Sequence, residues 1–408
     1  MINSLKTVDL KLQEFNFDFQ ENKKTVFNAD VYSDRIKGSL GFILNDMPFA
    51  ESSQITELKY FDNMLYVTLN DGYIYYYDGG LIKLCDVKLY NRFNIGYVDY
   101  KGKKCLAIIS TFKSVLISDG ECLQMPFNSI DFQYAFGRIF YVVNETIYFT
   151  KPYDYFSGPE GAINLDSLNG FRKMYLIHDE LYVICKNSIS KISRFASPDD
   201  LKLEVVPVNV ENVSPNLIFG IGDFIYFMQE RDMCKFDGKT VKTFTTCIPS
   251  PEYIMFTTES GAYKNGINLR VKKNDERGNL LYRYDTVNGT ETLIDYTGKL
   301  FAGYSSCVTS NGDLMSLDKQ GKRDVVYRSK DTDFSIMKNK RTYSICGYAS
   351  NEANVTLIGD FGEKTFSFKK GYNEVFCNLE SLSFKVTITS NSEDFLIQGL
   401  KIKFTTID

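Results

Sequence analysis

The chain reads as an all-β protein, a β-propeller of seven blades, or six, followed by a small antiparallel β-sandwich. Three observations predict this. A phrase of apolar and aromatic residues closing on Asp-Gly recurs along the chain. It stands as Ile74-Tyr75-Tyr76-Tyr77-Asp78-Gly79, as Val115-Leu116-Ile117-Ser118-Asp119-Gly120 and as Met233-Cys234-Lys235-Phe236-Asp237-Gly238, with Leu314-Met315-Ser316-Leu317-Asp318 as a copy without the glycine. Hairpin turns recur at a spacing of about 40 residues, the length of a propeller blade. Beyond residue 340 the strands lengthen and alternate cleanly, with one wet face, as in a sandwich.

The elements follow in order. Val8 to Phe19 alternates through Leu10, Leu12, Phe15, Phe17 and Phe19, which predicts a half-buried strand. Residues 1–29 are therefore expected to supply a strand that closes the propeller ring. Within residues 30–335, turns fall at Phe61-Asp62-Asn63-Met64, Tyr100-Lys101-Gly102-Lys103, Phe136-Gly137-Arg138, Ile177-His178-Asp179-Glu180 and Ile221-Gly222-Asp223-Phe224. Each places Asp, Asn or Gly between β-branched or aromatic runs, because tight hairpins need residues that tolerate positive φ. Past residue 250 a hairpin is expected around the charged turn Lys273 to Gly278. Another around Asn311-Gly312 echoes Asn70-Asp71-Gly72. Counted separately, these two complete seven blades; merged, they complete six. Ser197-Pro198-Asp199-Asp200 carries the signature of a cap for one short helical turn. A polar stretch through Asp331, Asp333 and Lys338 to Arg341 leads into the sandwich, residues 340–408. Its strands are marked by Thr365 to Lys369, Leu382 to Thr389 and Leu400 to Phe404. Ser383, Lys385, Thr387 and Thr389, continued by Lys401 and Lys403, are expected to form one polar face for attachment to a partner.

Composition narrows the function. A net charge of −4 gives no electrostatic reason to expect nucleic acid or an anionic membrane as a partner. No run of 18 apolar residues is present, and Met1 to Leu10 lacks the basic start and apolar core of a signal peptide, so a cytoplasmic setting is expected. Nine cysteines, an odd number with no CxxC, read as reduced thiols in apolar strands. A single histidine, His178, excludes a histidine-dependent triad or a histidine-rich metal site, and its place beside Asp179 is that of an ordinary turn residue. Glycoside hydrolysis needs only two carboxylates, and Asp131, Asp179, Glu180 and Asp223 stand near strand ends where an axial face could collect them. Acids at strand ends more often form turns. The absence of tryptophan removes the sialidase Asp-box, the Trp-Asp signature of WD40 scaffolds and the best sugar-stacking side chain. No phosphate cradle or EF-hand spacing occurs. The expected catalytic, cofactor-binding and metal residues are therefore none.

Two stretches carry a more specific resemblance. Ile147-Tyr148-Phe149-Thr150-Lys151-Pro152-Tyr153 leads through Ile163-Asn164-Leu165 into Leu181-Tyr182-Val183-Ile184-Cys185 and Ile189-Ser190-Lys191-Ile192. Ile218 to Phe227 and Lys235 to Gly238 follow, and Phe384 to Ser392 with Ile397 to Phe404 closes the chain. These resemble virion β-propeller proteins of tailed bacteriophages, of the head-completion (packaged-DNA stabilisation) or tail nozzle type. Thr150 stands where such proteins more often have Ser, and Phe or Tyr where they often have Trp. The resemblance implies a structural virion protein without enzymatic activity, assembled in the host cytoplasm at the head-to-tail junction or in the tail. It implies a homo-oligomeric ring, sixfold or twelvefold, that extends the DNA conduit and retains the genome. The partners implied are portal, adaptor or other tail proteins, with no sequence-specific nucleic acid, no membrane and no cofactor. The alternative from another class is a carbohydrate- or receptor-binding propeller, with or without weak glycoside hydrolase activity.

Overall fold

A computed structural model describes residues 6–9, 26–27, 29–31, 35–38, 42–44, 55–62, 64–90, 92–165, 170–229, 232–244, 253–263, 265–273, 279–287, 289–296, 299–301, 306–308, 314–317, 325–329, 333–392 and 394–407. Their structure is all-β. Seven four-stranded antiparallel sheets have first strands starting at Ile55, Phe93, Phe132, Phe171, Val213, Tyr253 and Lys299. In six of them the four strands are consecutive in the chain, an up-and-down meander. The first strands of successive sheets touch one another, from Ile55–Phe61 through to Lys299–Phe301. Sheets standing side by side through their first strands are the construction of a β-propeller.

The two recurrent sequence signals fall at the two kinds of turn. Three of the turns between first and second strands are two-residue loops with positive φ at both central residues: 51° and 74° at Lys101 and Gly102, 58° and 77° at Phe136 and Gly137, 48° and 59° at His178 and Asp179. Those values are type I′, whose twist matches that of the paired strands. The Asp-Gly phrase ends the third strand and turns the chain into the fourth. At Asp237 the carboxylate accepts the backbone N–H of Lys239 (2.9 Å) and of Thr240 (2.7 Å). The Thr240 amide bond is the chief reason its pKa is drawn down to about 2.

The seventh sheet explains the copy that lacks its glycine. Leu314–Leu317 does not turn into a fourth strand of its own; it pairs with Phe42–Leu44, Ser316 facing Ile43. Its outer edge is taken by a strand from far away in the chain. The expectation that the Val8–Phe19 segment closes the ring is corrected here, because Phe42–Leu44 holds that place. Of the earlier segment, Lys6–Asp9 pairs instead with Leu396–Thr406, Val8 facing Ile402, and residues 10–25 lie outside the described residues.

Two further sheets contain the C-terminal strands. One runs Val26–Phe27, Val325–Arg328, Phe384–Ser390, Ala353–Gly359, Gly362–Phe368. The other runs Ala29–Val31, Arg35–Gly38, Leu396–Thr406, Lys340–Ala349, Gly371–Phe376, with Lys6–Asp9 also on Leu396–Thr406 and Glu380–Ser381 also on Lys340–Ala349. A single apolar cluster joins them, Val355, Val386 and Ile388 from the first meeting Ile345, Ile397 and Ile402 from the second. Hydrogen bonding thus divides the chain differently from 1–29, 30–335 and 340–408, since N-terminal strands and Val325–Arg328 belong to these sheets. The single polar face is also corrected. Lys385, Thr387 and Thr389 alternate with buried Phe384, Val386 and Ile388 on the five-stranded sheet. Lys401 and Lys403 alternate with buried Leu400, Ile402 and Phe404 on the seven-stranded one. Side chains alternate between faces along a strand, so the two polar rows look away from a shared core in opposite directions.

Between the four-stranded sheets the core is a succession of apolar layers, each shared by two neighbours. Ile184, Ile189 and Tyr182 of one sheet pack with Ile225, Phe227 and Phe236 of the next. Phe140, Phe149 and Val142 pack with Met174, Leu181 and Val183. Burying each such side chain contributes about 1.5–3 kcal/mol, so the sheets hold one another by face-to-face packing and leave their first strands to line the axis.

Candidate functional site

The first strands carry polar side chains in a position where strand alternation would otherwise call for apolar ones, and the structure shows what they do. Lys59 Nζ donates to the Phe93 carbonyl and lies 3.4 Å from Asn94 Oδ1. Asn94 Nδ2 donates to the Ile130 carbonyl (2.9 Å), and Gln133 Nε2 to the Met174 carbonyl (3.2 Å). Tyr175 Oη donates to the Ile218 carbonyl (2.9 Å), Arg172 Nε to the Val213 carbonyl (3.1 Å) and Ser260 Oγ to the Asn216 carbonyl (2.7 Å). Each bond runs from one sheet to a main-chain carbonyl at the adjoining sheet, so together they form a belt of side-chain stitches near the axis. A main-chain carbonyl turned away from its own ladder is costly unless paired, and the belt pairs these.

Asp131 anchors the belt's charge. It is 3% exposed, its Oδ1 lies 2.8 Å from Lys173 Nζ, and its Oδ2 accepts the Met174 backbone N–H at 2.9 Å. Burial works to lower the Lys173 pKa, but the charge and hydrogen bond of Asp131 outweigh it and the net shift is upward. The Lys59 ammonium meets the Phe93 carbonyl and the Asn94 amide oxygen instead. Burial brings its pKa down from 10.5 to about 8, with Glu57 opposing the change and Lys173 among the charges adding to it.

The sign of the resulting pH dependence is fixed. Between about pH 8 and 10.5 the unfolded chain holds a proton on Lys59 that the folded chain releases, so this residue makes stability rise with pH across that window. In Lys59→Met that rise is expected to vanish, so the melting temperature of the unaltered protein should gain on the variant's from pH 8 to pH 10. An unchanging gap over that range would show that Lys59 is not a depressed, buried amine.

The carboxylates singled out in the sequence are not assembled into a pair with Asp131. That residue is locked to Lys173 beside Met174, whereas Asp179 lies five positions beyond Met174 along the same strand and turn, about 16 Å away at the ~3.3 Å rise of a strand. Glu180 accepts from Ser193 Oγ at 2.7 Å. Asp223 is 74% exposed and 3.8 Å from His178 Nε2, itself 58% exposed, so the single histidine sits on a turn open to water. Asp333 accepts the Ser335 backbone N–H at 2.8 Å, and Asp331 lies outside the described residues. Among the described residues no three His, Cys, Asp or Glu side chains are grouped so as to hold a metal ion. Sequence reasoning missed Lys59, Asn94, Gln133, Lys173 and Tyr175. For Lys59 the available signal was a charge set inside an apolar run, Leu58-Lys59-Tyr60.

Two other features stand apart from the axis. A cavity of about 600 Å³ opens on the five-stranded sheet, with Glu352, Asn354, Ser367, Lys369, Thr389 and Asn391 among its lining residues. Large apolar side chains also reach the surface in the C-terminal region. Of the 16 that are exposed among the described residues, seven lie between residues 337 and 382, with Tyr372 and Phe376 67% and 69% exposed. These two alternate with Glu374 on Gly371–Phe376, where Glu374 bonds Lys403 at 2.6 Å and Tyr372 faces Tyr348 across the strand pair. Among the described residues no helix is long and apolar enough to cross a membrane.

Comparison with known proteins adds likeness of architecture only. No family model and no curated protein matches the chain. Among solved structures it is similar to two extracellular domains of Bacteroides thetaiotaomicron. The putative one-component system BT4673 gives 11% identity, 94% of this chain, 64% of that one and a TM-score of 0.44. The putative hybrid two-component system BT3049 gives 10%, 91%, 59% and 0.45. Kluyveromyces lactis Hsv2 is similar over 67% of this chain and 98% of its own, at 10% identity and a TM-score of 0.35. At such identities and scores nothing known of those proteins transfers to the present chain.

Proposed function

We propose that the chain is a non-enzymatic structural protein of a tailed-phage virion, built as a seven-bladed propeller carrying a two-sheet β-sandwich. It resides at the head-to-tail junction or in the tail, where a sixfold or twelvefold homo-oligomeric ring extends the DNA conduit and retains the genome. Its partners are portal, adaptor or other tail proteins. The resemblance over residues 130–240 and 380–408 supports the class. One structural observation supports assembly as the mode of action: the crowding of exposed Tyr343, Tyr348, Tyr372 and Phe376 onto the strands Lys340–Ala349 and Gly371–Phe376. Exposed apolar patches rimmed by charge mark protein–protein contact. Gly371–Phe376 also ends its sheet among the described residues, and strand edges of that kind are docking surfaces.

The pairing pattern decides how to test this. Removing residues 340–408 would strip Lys6–Asp9, Arg35–Gly38 and Val325–Arg328 of their partner strands, so loss of assembly after truncation would report misfolding as well as attachment. Point changes are cleaner. Tyr372→Glu with Phe376→Glu is expected to leave circular dichroism and melting temperature unchanged while lowering incorporation into particles at least about tenfold, as loss of a hot-spot contact does. Wild-type occupancy of the doubly charged variant in purified tails would place the attachment surface elsewhere.

The cavity on the five-stranded sheet favours the second reading, a carbohydrate-binding protein. Its amides, hydroxyls and opposed charges at Glu352 and Lys369 are the kind of polar groups that fix a sugar. Binding to a glycan array that Asn354→Ala abolishes, by a chain never found with tail components, would favour it.

A further inference from the structure

We propose that the loops joining the first two four-stranded sheets form a stacking platform for single-stranded nucleic acid, with bases laid on Phe112 and Tyr90 and phosphates met by Lys88 and Lys113. Three loops meet there. They are the turn at Gly72 after the second strand of the first sheet, the connection through Lys88 and Tyr90 to the second sheet, and the turn from Ser110 to Lys113 within that sheet. Hydrogen bonds weld them together. The Gly72 carbonyl accepts the backbone N–H of Leu89 (2.8 Å) and of Tyr90 (3.3 Å). Ser110 is 1% exposed, and its Oγ reaches the Leu89 carbonyl at 3.2 Å while accepting the backbone N–H of Phe112 (3.2 Å) and of Lys113 (3.1 Å).

The joined loops present two rings at a right angle. The Tyr90 and Phe112 centroids are 5.2 Å apart with an interplanar angle of 87°, and the two residues are 37% and 50% exposed. Tyr90 holds a backbone φ of 42°, and its ring lies so close over Gly72 that a Cβ there would stand 2.5 Å from it. A bulky residue in the left-handed region is uncommon, and here the bonds to Gly72 hold it. The result is a corner where a flat ring can lie on one aromatic face with its edge against the other, the offset and edge-on contacts that such rings favour.

Two cations flank the rings. Nearby carboxylates are engaged within the first sheet, Asp86 with Lys83 Nζ at 2.6 Å and Asp71 with Tyr75 Oη (2.5 Å) and the Tyr73 backbone N–H (3.0 Å). The Lys88 ammonium lies instead by ring faces, 5.0 Å from the Tyr73 centroid and 5.6 Å from that of Tyr90. Rings attract a cation without cancelling its charge. Lys113 follows Phe112 directly and is half-buried. A nucleotide offers a flat ring and an anion together, and a single strand repeats both along its length. A duplex keeps its base faces stacked away, so the exposed rings favour the single strand. The chain's net charge of −4 does not oppose a local patch of this kind, and the platform does not rest on the virion reading.

The test is fluorescence anisotropy of a labelled oligothymidylate of about 12 nucleotides, titrated with the full-length protein at about 50 mM salt. Saturable binding is expected, weakened about fivefold or more by Phe112→Ala, the worth of one stacked base. Lys88→Ala with Lys113→Ala should also weaken it and make the slope of log affinity against log salt shallower by about 1.4, as two lost phosphate contacts on a single strand would. Both variants change exposed or half-buried side chains, and circular dichroism checks their fold. No binding at about 100 μM protein, the weak end of non-specific affinity, would overturn the proposal. So would an unchanged affinity in Phe112→Ala, an unchanged salt slope in the lysine variant, or a duplex of the same length bound as tightly as the strand. Thymidine monophosphate displacing the strand as well as unlabelled oligothymidylate does would assign the platform to free nucleotides instead. Oligoglutamate doing so would assign it to acidic protein segments.

Discussion

Arg138→Ala is expected to destabilise the protein by about 3–5 kcal/mol, the range for removing one partner of a buried ion pair. The guanidinium is 1% exposed. Its Nη1 pairs with the Glu160 carboxylate and donates to the Thr150 carbonyl at 2.9 Å, and Nη2 reaches the Ala196 carbonyl at 3.3 Å. It lies 4.8 Å from the Phe195 ring centroid and 5.7 Å from that of Phe149. One side chain thereby ties the second strand of its sheet to the third, to the fourth through Glu160, and to the loop beyond the neighbouring sheet's third strand. Alanine removes all five contacts and opens a cavity beside Phe195, which packs edge to face on Phe140 and Phe149. Lysine keeps the charge but lacks the planar fork that serves several acceptors at once, so Arg138→Lys should recover less than half of the loss. Urea unfolding followed by tyrosine fluorescence measures both. A shift within about 0.5 kcal/mol, the size of an ordinary surface change, would show that the pair contributes nothing to the fold.

Much of the propeller could be read in the sequence because its strands pair with their neighbours in the chain. The turns at Lys101-Gly102, Phe136-Gly137 and His178-Asp179 were found where expected, since positive φ demands particular residues and leaves a local mark. Ser197 caps the short helical turn at Pro198–Asp200 through a side chain that accepts the Asp199 backbone N–H, which is another local mark. Long-range pairing leaves no such mark. Nothing in Phe42-Ile43-Leu44 names Leu314–Leu317 as its partner, and nothing in Lys6-Thr7-Val8-Asp9 names the last strand of the chain. Alternation showed that Lys385, Thr387, Lys401 and Lys403 face water. It could not show that they belong to different sheets, because a strand's period identifies its wet face and not its neighbours. The belt was hidden for a further reason. A lysine within an apolar strand reads as a solvated edge until the adjoining sheet brings a carbonyl to meet it, as Phe93 does for Lys59.

The second large effect is expected at Lys340, where Lys340→Met should cost about 3 kcal/mol, the net worth of hydrogen bonds made by a charged donor together with the acceptors left bare. This residue opens the strand Lys340–Ala349 and is wholly buried. Its ammonium donates to three main-chain carbonyls, those of Ile336 (2.6 Å), Lys338 (2.9 Å) and Leu382 (2.7 Å). The first two belong to the segment that enters the C-terminal sheets and the third follows Glu380–Ser381, so one cation gathers two separate segments onto one strand end. Burial lowers its pKa, while Asp333 and Asp360 hold it up from a distance. Methionine retains the stem and its packing but leaves the three carbonyls without a donor, which is why the loss should exceed that of an exposed lysine. The effect should also be local. Hydrogen exchange is expected to accelerate in Lys340–Ala349 and Phe384–Ser390 while the Phe171–Ile177 strand keeps its protection, because among the described residues the hydrogen bonds and strand partners of Lys340 lie in the C-terminal sheets and the segments entering them. Equal acceleration in both regions would mean that the two parts of the molecule unfold as one unit. Unchanged exchange in both would mean that water replaces the ammonium at little cost and that the segment before Lys340 is held by its strand pairing alone.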